Sequence, residues 1–282
     1  MDNISKYIET NLAIEEFTNH DNENGQEIKS SYLNAKADAI HCYSTIKKYL
    51  YKDKNILEVG GGIHLLTSFL NQEYDITSIE PGKFTHYTDQ LRNQIIKKNK
   101  LKIHTTTLEN FKTQDKFDFI FSMNVLEHTD DIQKHLNCCL NLLKDENSLL
   151  FIQCPNYTFP FEAHFYKWFI PFFPTFTFTK LRKKNLIKEL GEKKYEEIIK
   201  NLNFNCTFHK IYKLNMSISF IHPLKDIFNR LDTDKHFRER LLKNSSIKIV
   251  VKLIKFFKLE NLMINLFPKS LCPYLILKIK KF

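Results

Sequence analysis

Three groups of residues in this chain could do chemistry. The first is the turn Gly60-Gly61-Gly62, entered from the apolar run Ile56-Leu57-Glu58-Val59. Glycines let a backbone approach a ligand closely, and a strand that runs through them into a helix makes a small-molecule cradle at its carboxyl end. The second is Glu80, which ends the second short strand, Asp75–Ile79. An acid there can accept hydrogen bonds from both hydroxyls of a ribose and so fix an adenosine. The third is a set of polar side chains further on, Tyr157, Glu162 and His164, with His128 upstream. A histidine or glutamate suits the task of taking a proton from an oxygen acceptor. His164 is the first candidate base, His128 the second and His41 a weaker third; Tyr157 and Glu162 are candidate substrate contacts.

The elements that must position these residues alternate along the chain. Helical spacing runs from Tyr32 to Leu50, after a polar stretch over 1–30 in which 20–25 reads as a loop. Asn55–Val59 is a first strand, Leu65–Leu70 opens a helix, and Asp75–Ile79 is a second strand. Tyr87–Lys98 is a helix, Leu101–Thr106 a third strand, Phe117–Ser122 a fourth, Ile132–Leu143 a helix and Ser148–Gln153 a fifth strand. Such alternation predicts a mostly parallel sheet with helices on both faces, an α/β fold. Then the pattern breaks. Tyr157 to Phe178 holds eleven aromatics in 22 residues, interrupted by Pro160, Pro171 and Pro174, which argue against one continuous helix. This stretch, about 157–180, reads as an aromatic lid. Residues 193–202 read as a helix, Cys206–Leu214 as a strand, 222–268 as basic and helical, and 273–282 as a last strand with Pro273 at its head.

Composition narrows the setting. None of the six cysteines forms a C-x-x-C pair, so no zinc site is expected and no metal is assigned. Their scatter fits reduced, structural thiols. The chain shows neither a charged-then-apolar leader nor an uncharged apolar run of about 18 residues, so neither a secretory signal nor a spanning helix is expected, and the location reads as cytoplasmic. The net charge of +10 is concentrated: residues 244–282 carry eight lysines against one acid, Glu260. Lys248, Lys252, Lys255 and Lys258 recur every three to four residues beside apolar neighbours, a pattern that suits a helix lying on an anionic membrane at its inner face.

A strand, a glycine turn, a helix and an acid closing the second strand serve two cofactor classes, dinucleotides and S-adenosylmethionine. The dinucleotide fingerprint G-x-G-x-x-G needs a third glycine at position 65, which is Leu65. The segment Asn55-Ile56-Leu57-Glu58-Val59-Gly60-Gly61-Gly62 resembles instead the first motif of class I S-adenosylmethionine-dependent methyltransferases, commonly E-x-G-x-G-x-G. Phe117 to His128 resembles their fourth-strand motif, Ser148–Asn156 their fifth strand, and Pro155–Phe165 a loop in a bacterial subgroup often near surface-polysaccharide functions. The resemblance covers about residues 35–215 and the final strand. It departs at His64, which holds the place of the motif's third glycine.

The resemblance implies a Rossmann-like, seven-stranded, mostly parallel sheet with its last strand antiparallel. It divides the chain into an N-terminal extension (1–34), a core (35–221), a basic helical insertion (222–272) and a final core strand (273–282). It implies S-adenosyl-L-methionine as cofactor, with Glu58 and the Gly60, Gly61 and Gly62 backbone at its methionine end. Glu80, followed by Pro81, falls at its ribose, Leu108 and Glu109 at its adenine, and Ser122, Met123 and Asn124 along its other side, with His128 near the methionine. The implied activity is methyl transfer to a small-molecule or glycan acceptor, with oxygen the expected atom. The alternatives are a lipophilic acceptor, quinone-like or lipid, at a membrane surface, and a degenerate cofactor-binding subunit that regulates a partner. Nucleic acid is disfavoured, because Ser122-Met123-Asn124-Val125 lacks the aromatic that stacks on a flipped base.

Overall fold

The computed structural model describes residues 3–13, 23–82, 86–162, 164–165, 167–214, 216–233, 235–242 and 245–281. Seven strands form one sheet in the order β3-β2-β1-β4-β5-β9-β8, and the chain divides into two compact units.

The first unit comprises Met1–Met123, Lys134–Phe151 and Lys280–Phe282. Helix α1 (Asn3–Asn11) buries Ile4 and Ile8, and helix α2 (Glu23–Ile46) follows. The loop expected over 20–25 lies outside the described residues at 20–22, while Glu23–Gly25 already belong to α2. Their polar composition hid the helix start, since no apolar stripe marks it. Tyr32 ties the two helices together by donating its hydroxyl to the Leu12 carbonyl at 2.7 Å. Next come β1 (Asn55–Val59), α3 (Leu65–Leu70), β2 (Asp75–Ile79), α4 (His86–Asn99), β3 (Lys102–His104), β4 (Phe119–Met123), α5 (Ile132–Leu142) and β5 (Leu149–Pro155). Strand β1 pairs in parallel with β2 and with β4. Four of its five residues are buried, as are four of the five of β2, where Thr77 and Ser78 are buried beside Ile76 and Ile79. Register then places the ends: Val59 lies opposite Ile79 on one side and Ser122 on the other. Gly60, Glu80 and Met123 therefore emerge together at one edge, the carboxyl ends of three parallel strands, where ligands bind in sheets of this kind.

The second unit comprises Asn124–Gln133 and Ile152–Ile279. After β5 the prolines break the chain into a small hairpin, β6 (Phe161–Glu162) with β7 (Lys167–Trp168), and a short helix α6 (Pro174–Phe176) that continues as a π-turn to Leu181. The aromatics divide in two. Tyr157, Phe165, Phe169 and Phe178 are buried and stack on one another and on Phe204, whereas Phe172, Phe173 and Phe176 are exposed. Helices α7 (Lys183–Leu190), α8 (Glu192–Asn201) and α9 (Phe208–Tyr212) follow.

Helix α9 overturns the strand expected at Cys206–Leu214. Thr207 caps it, its hydroxyl accepting the Lys210 N–H; this bond selects helix over the extended form that the local alternation suggested. The strand lies further on, as β8 (Ile218–Ile221), antiparallel to β9 (Tyr274–Lys280). Between them run α10 (Pro223–Thr233), α11 (Lys235–Leu241), α12 (Ser245–Phe256) and α13 (Glu260–Leu266). Val251 and Ile254 of α12 pack against a small core of Ile227, Phe228 and Leu231. Among the described residues, no helix is long and apolar enough to cross a membrane.

Candidate active site

The glycine turn is shaped by positive backbone angles. Gly60 has φ 85° and Gly62 φ 57°, a region other residues enter at a cost. A side chain added at Gly62 would meet nothing within 4 Å among the described residues. Beside the turn lies Glu80. One carboxylate oxygen accepts the Gly62 N–H at 3.0 Å and the other accepts the Gly82 N–H at 3.1 Å. Burial raises this carboxyl's pKa, opposed by the two N–H bonds and by the nearby Arg92. Each carboxylate oxygen has a second lone pair, so Glu80 keeps acceptor capacity at the mouth of the turn. A carboxylate held in this way, with acceptor capacity to spare, fits the ribose hydroxyls of an adenosine.

The inner side of the turn is closed by a buried polar network. His64 adopts φ 63°, the left-handed conformation that explains a glycine in the family motif. Its ring turns inward and is fully buried. Nδ1 lies 3.2 Å from the Thr67 hydroxyl and 3.4 Å from that of Ser78. Both hydroxyls donate to one oxygen of Glu58, Ser78 at 3.1 Å and Thr67 by a short bond. Gly61 is bare because the ring fills its space: a β-carbon there would fall 2.4 Å from His64 Nδ1 and 2.4 Å from Ser78 Oγ. Burial lowers the His64 pKa to about 3, helped by the charge of Arg92. Burial raises that of Glu58 to about 7, against the two hydroxyl bonds. Glu58, which the resemblance assigns to the methionine end, is thus 5% exposed and held by Thr67 and Ser78.

The other residues singled out on this unit are placed as follows. Pro81 is exposed and Leu108 buried. Glu109 is bonded to His135 Nδ1 at 2.9 Å, which pulls its pKa down to about 2. Ser122 is buried, with no hydrogen-bond partner for its hydroxyl among the described residues. Met123 is partly exposed. Asn124 opens the second unit in the left-handed region, φ 55°, its N–H donating to the Gln153 carbonyl at 2.8 Å.

The second unit carries its own polar cluster. His164 donates from Nδ1 to Glu162 Oε1 at 2.6 Å. Glu162 is fully buried and also accepts the Phe165 N–H at 2.7 Å and, at 3.4 Å, the Tyr157 hydroxyl. His128 stands beside His164, ring centroids 5.3 Å apart and edge to face. Its Nδ1 donates to the Asn201 carbonyl at 2.9 Å; a carbonyl only accepts, so the proton sits on Nδ1. Burial lowers the His128 pKa and favours the neutral ring. Beneath both lies Glu127, a residue the motif reading passed over. It is fully buried, and neither carboxylate oxygen has a hydrogen-bond partner among the described residues. Burial pushes its pKa up to about 7, opposed by its own backbone N–H and by His164, with the Glu162 carboxylate adding to the rise. Its one sequence signal was adjacency to His128.

A family model described as a methyltransferase domain matches residues 30–207. The chain belongs to that methyltransferase-domain family, and S-adenosylmethionine is the cofactor that goes with the domain. Two relatives, the uncharacterized proteins MT1557 and Rv1509 of Mycobacterium tuberculosis strains, are each 40% identical over 116 residues, 39% of this chain and 39% of the relative. The chain therefore spans about 39% of the length of the curated relatives it matches. Among solved structures, the plantazolicin methyltransferase BpumL with a pentazolic desmethylPZN analog and SAH is similar at TM-score 0.47 and 14% identity, over 99% of this chain and 98% of that one. DesVI of Streptomyces venezuelae follows at TM-score 0.40 and 13% identity, over 50% and 60%. An S-adenosylmethionine-dependent methyltransferase from Clostridium acetobutylicum ATCC 824 stands at TM-score 0.35 and 15%, over 54% and 56%.

Proposed function

We propose that this chain is an S-adenosylmethionine-dependent methyltransferase whose acceptor is a small molecule or glycan methylated on oxygen. The observation that carries the oxygen assignment is the imidazole of His164 hydrogen-bonded at 2.6 Å to a fully buried carboxylate, Glu162. A carboxylate behind an imidazole orients the ring and stabilises its charged form, the arrangement a hydroxyl acceptor needs. When bound, the cofactor supplies an electrophilic methyl group on sulfur. Gly60 and Gly62 would line it, Glu80 would take its ribose, and Ser122 and Met123 would flank it. His164 and His128 would meet the acceptor's proton, with Tyr157 and Glu162 around the acceptor. We take 35–221 with 273–282 as the catalytic core and 222–272 as an insertion. Incubation with methyl-tritiated S-adenosylmethionine and saccharide or phenolic acceptors should move label onto a hydroxyl, and His164→Ala should abolish the transfer. Label moved only to nitrogen or carbon, or full transfer by the variant, would sink the oxygen reading.

A specific feature favours an acceptor met at a membrane surface. Helix α12 has three faces. Val251 and Ile254 pack inward. Ile249, Val250, Leu253, Phe256 and the adjoining Phe257 are exposed, Phe256 to 79%. Lys248 and Lys252 are exposed along one edge, followed by Lys255, which is partly exposed and ion-paired with Asp232. An open apolar face beside a lysine row suits peripheral contact with anionic lipid.

A further inference from the structure

The cluster of Glu127, His128 and His164 holds more than a base requires. Glu127 is a carboxyl with no exposed side-chain surface, and neither oxygen is hydrogen-bonded among the described residues. Burying a polar group without a partner costs on the order of 1–3 kcal/mol, and more if it is charged. Such a group calls for a physical reason, and a bound ion is one such reason. Glu127 Oε1 lies 3.9 Å from His128 Nε2. One ligand atom each from Glu127, His128 and His164 falls within 4.8 Å of the others. Metal–ligand bonds of about 2.0–2.2 Å bring donors to roughly 3–3.5 Å of one another, so side-chain closure of about 1 Å suffices.

What stands behind the imidazoles points the same way. A histidine that binds metal characteristically donates its other ring N–H to a carboxylate or a backbone carbonyl, which sets the tautomer and aims the lone pair. Both kinds of support are present: His164 Nδ1 on Glu162 Oε1 at 2.6 Å, and His128 Nδ1 on the Asn201 carbonyl at 2.9 Å. With Nδ1 donating, the lone pair of each ring lies on Nε2. Glu162 is itself fixed by the Phe165 N–H, so the support has support of its own.

We propose that Glu127, His128 and His164 form a binding site for one divalent transition-metal ion, a two-histidine, one-carboxylate set with positions left open for an acceptor oxygen. Two nitrogen ligands of three select an ion of the manganese, iron or zinc kind over Mg2+ or Ca2+, which prefer oxygen-rich shells. The proposal rests on the reading above that this cluster is the acceptor end, and it refines that reading. An ion held there would supply Lewis acidity to an acceptor oxygen, and His164 would act as one of its ligands rather than as the proton-accepting base.

The test uses the full-length protein, stripped with chelator and dialysed. Mn2+ is titrated in and its free-ion electron paramagnetic resonance signal is read, and S-adenosylmethionine binding is measured separately by calorimetry. The expected result is one saturable equivalent of Mn2+, displaced by Zn2+ and not by equal Mg2+. Glu127→Gln and His164→Ala should each weaken it by at least the roughly 10–100-fold seen on loss of outer-shell support alone. Circular dichroism checks folding of both variants; His164 is partly exposed, so His164→Ala keeps the test decisive where the buried substitution disturbs the fold. Absence of a saturable equivalent, or variants that bind Mn2+ as the parent does, overturns the site. Intact cofactor binding alongside that result would leave the methyltransferase reading standing, and Mn2+ binding without cofactor binding would do the reverse.

Discussion

Glu58 offers the most quantitative prediction. Its carboxyl sits among Thr67, Ser78 and His64, and burial raises its pKa from 4.5 to about 7. A group whose folded pKa exceeds its unfolded value stabilises the fold fully below the unfolded pKa. That contribution is lost as pH rises through the folded pKa. The window is therefore pH 4.5 to about 7. A shift of that size corresponds to about 3 kcal/mol at 1.36 kcal/mol per unit. Glu58→Gln removes the titration while keeping an oxygen that can accept both hydroxyl bonds. Glu127, also raised to about 7, titrates in both proteins, so the difference between variant and parent isolates Glu58. Thermal unfolding should show near-equal stability at pH 4.5. By pH 8.5 the variant should be ahead by up to about 3 kcal/mol, or roughly 5–10 °C in melting temperature for a chain of this size. A difference that stays constant across that range would refute the assignment of Glu58 to a dry internal network.

Three further outcomes follow from the same geometry. Gly61→Ala forces a β-carbon against the buried His64 ring and Ser78 and should destabilise the fold by about 1–3 kcal/mol. Adding His64→Gly should recover part of that loss, and strictly additive effects in denaturant unfolding would contradict the contact. His164→Gln should lower kcat by about a hundredfold or more with cofactor affinity unchanged; a normal kcat would remove the residue from the reaction. The parent protein should float with anionic liposomes in low salt, and a Leu253→Asp, Phe256→Asp double substitution should abolish this. Unchanged flotation by the variant would exclude the α12 face.

The parallel half of the sheet was legible because its strands are buried on both faces. Ile56-Leu57 with Val59 stands out in β1, Ile76 and Ile79 mark β2, and the glycines after Val59 mark where the backbone must turn. Beyond β5 the signals weaken. Cys206–Leu214 alternates like a strand, yet a single cap hydroxyl on Thr207 makes it a helix, and β8 is a four-residue strand a few positions later. Side-chain direction was not legible either. His64 was visible as a departure from a glycine pattern, but nothing in one dimension says that its ring folds back under Gly61. Glu127 was hidden for the same reason, since burial without a partner is a property of three-dimensional packing. His164 and Glu162, two residues apart across the end of a short hairpin, were the pair that spacing could suggest.

The Gly60–Gly62 turn and Glu80 are proposed to hold S-adenosylmethionine. Isothermal calorimetry with S-adenosylmethionine and S-adenosylhomocysteine tests it directly on the parent protein and on Glu80→Ala. One saturable site is expected in the parent and at least a tenfold loss in the variant, the equivalent of about 1.4 kcal/mol, with the fold retained. No heat at high cofactor concentration, or equal affinity in the two proteins, would contradict it.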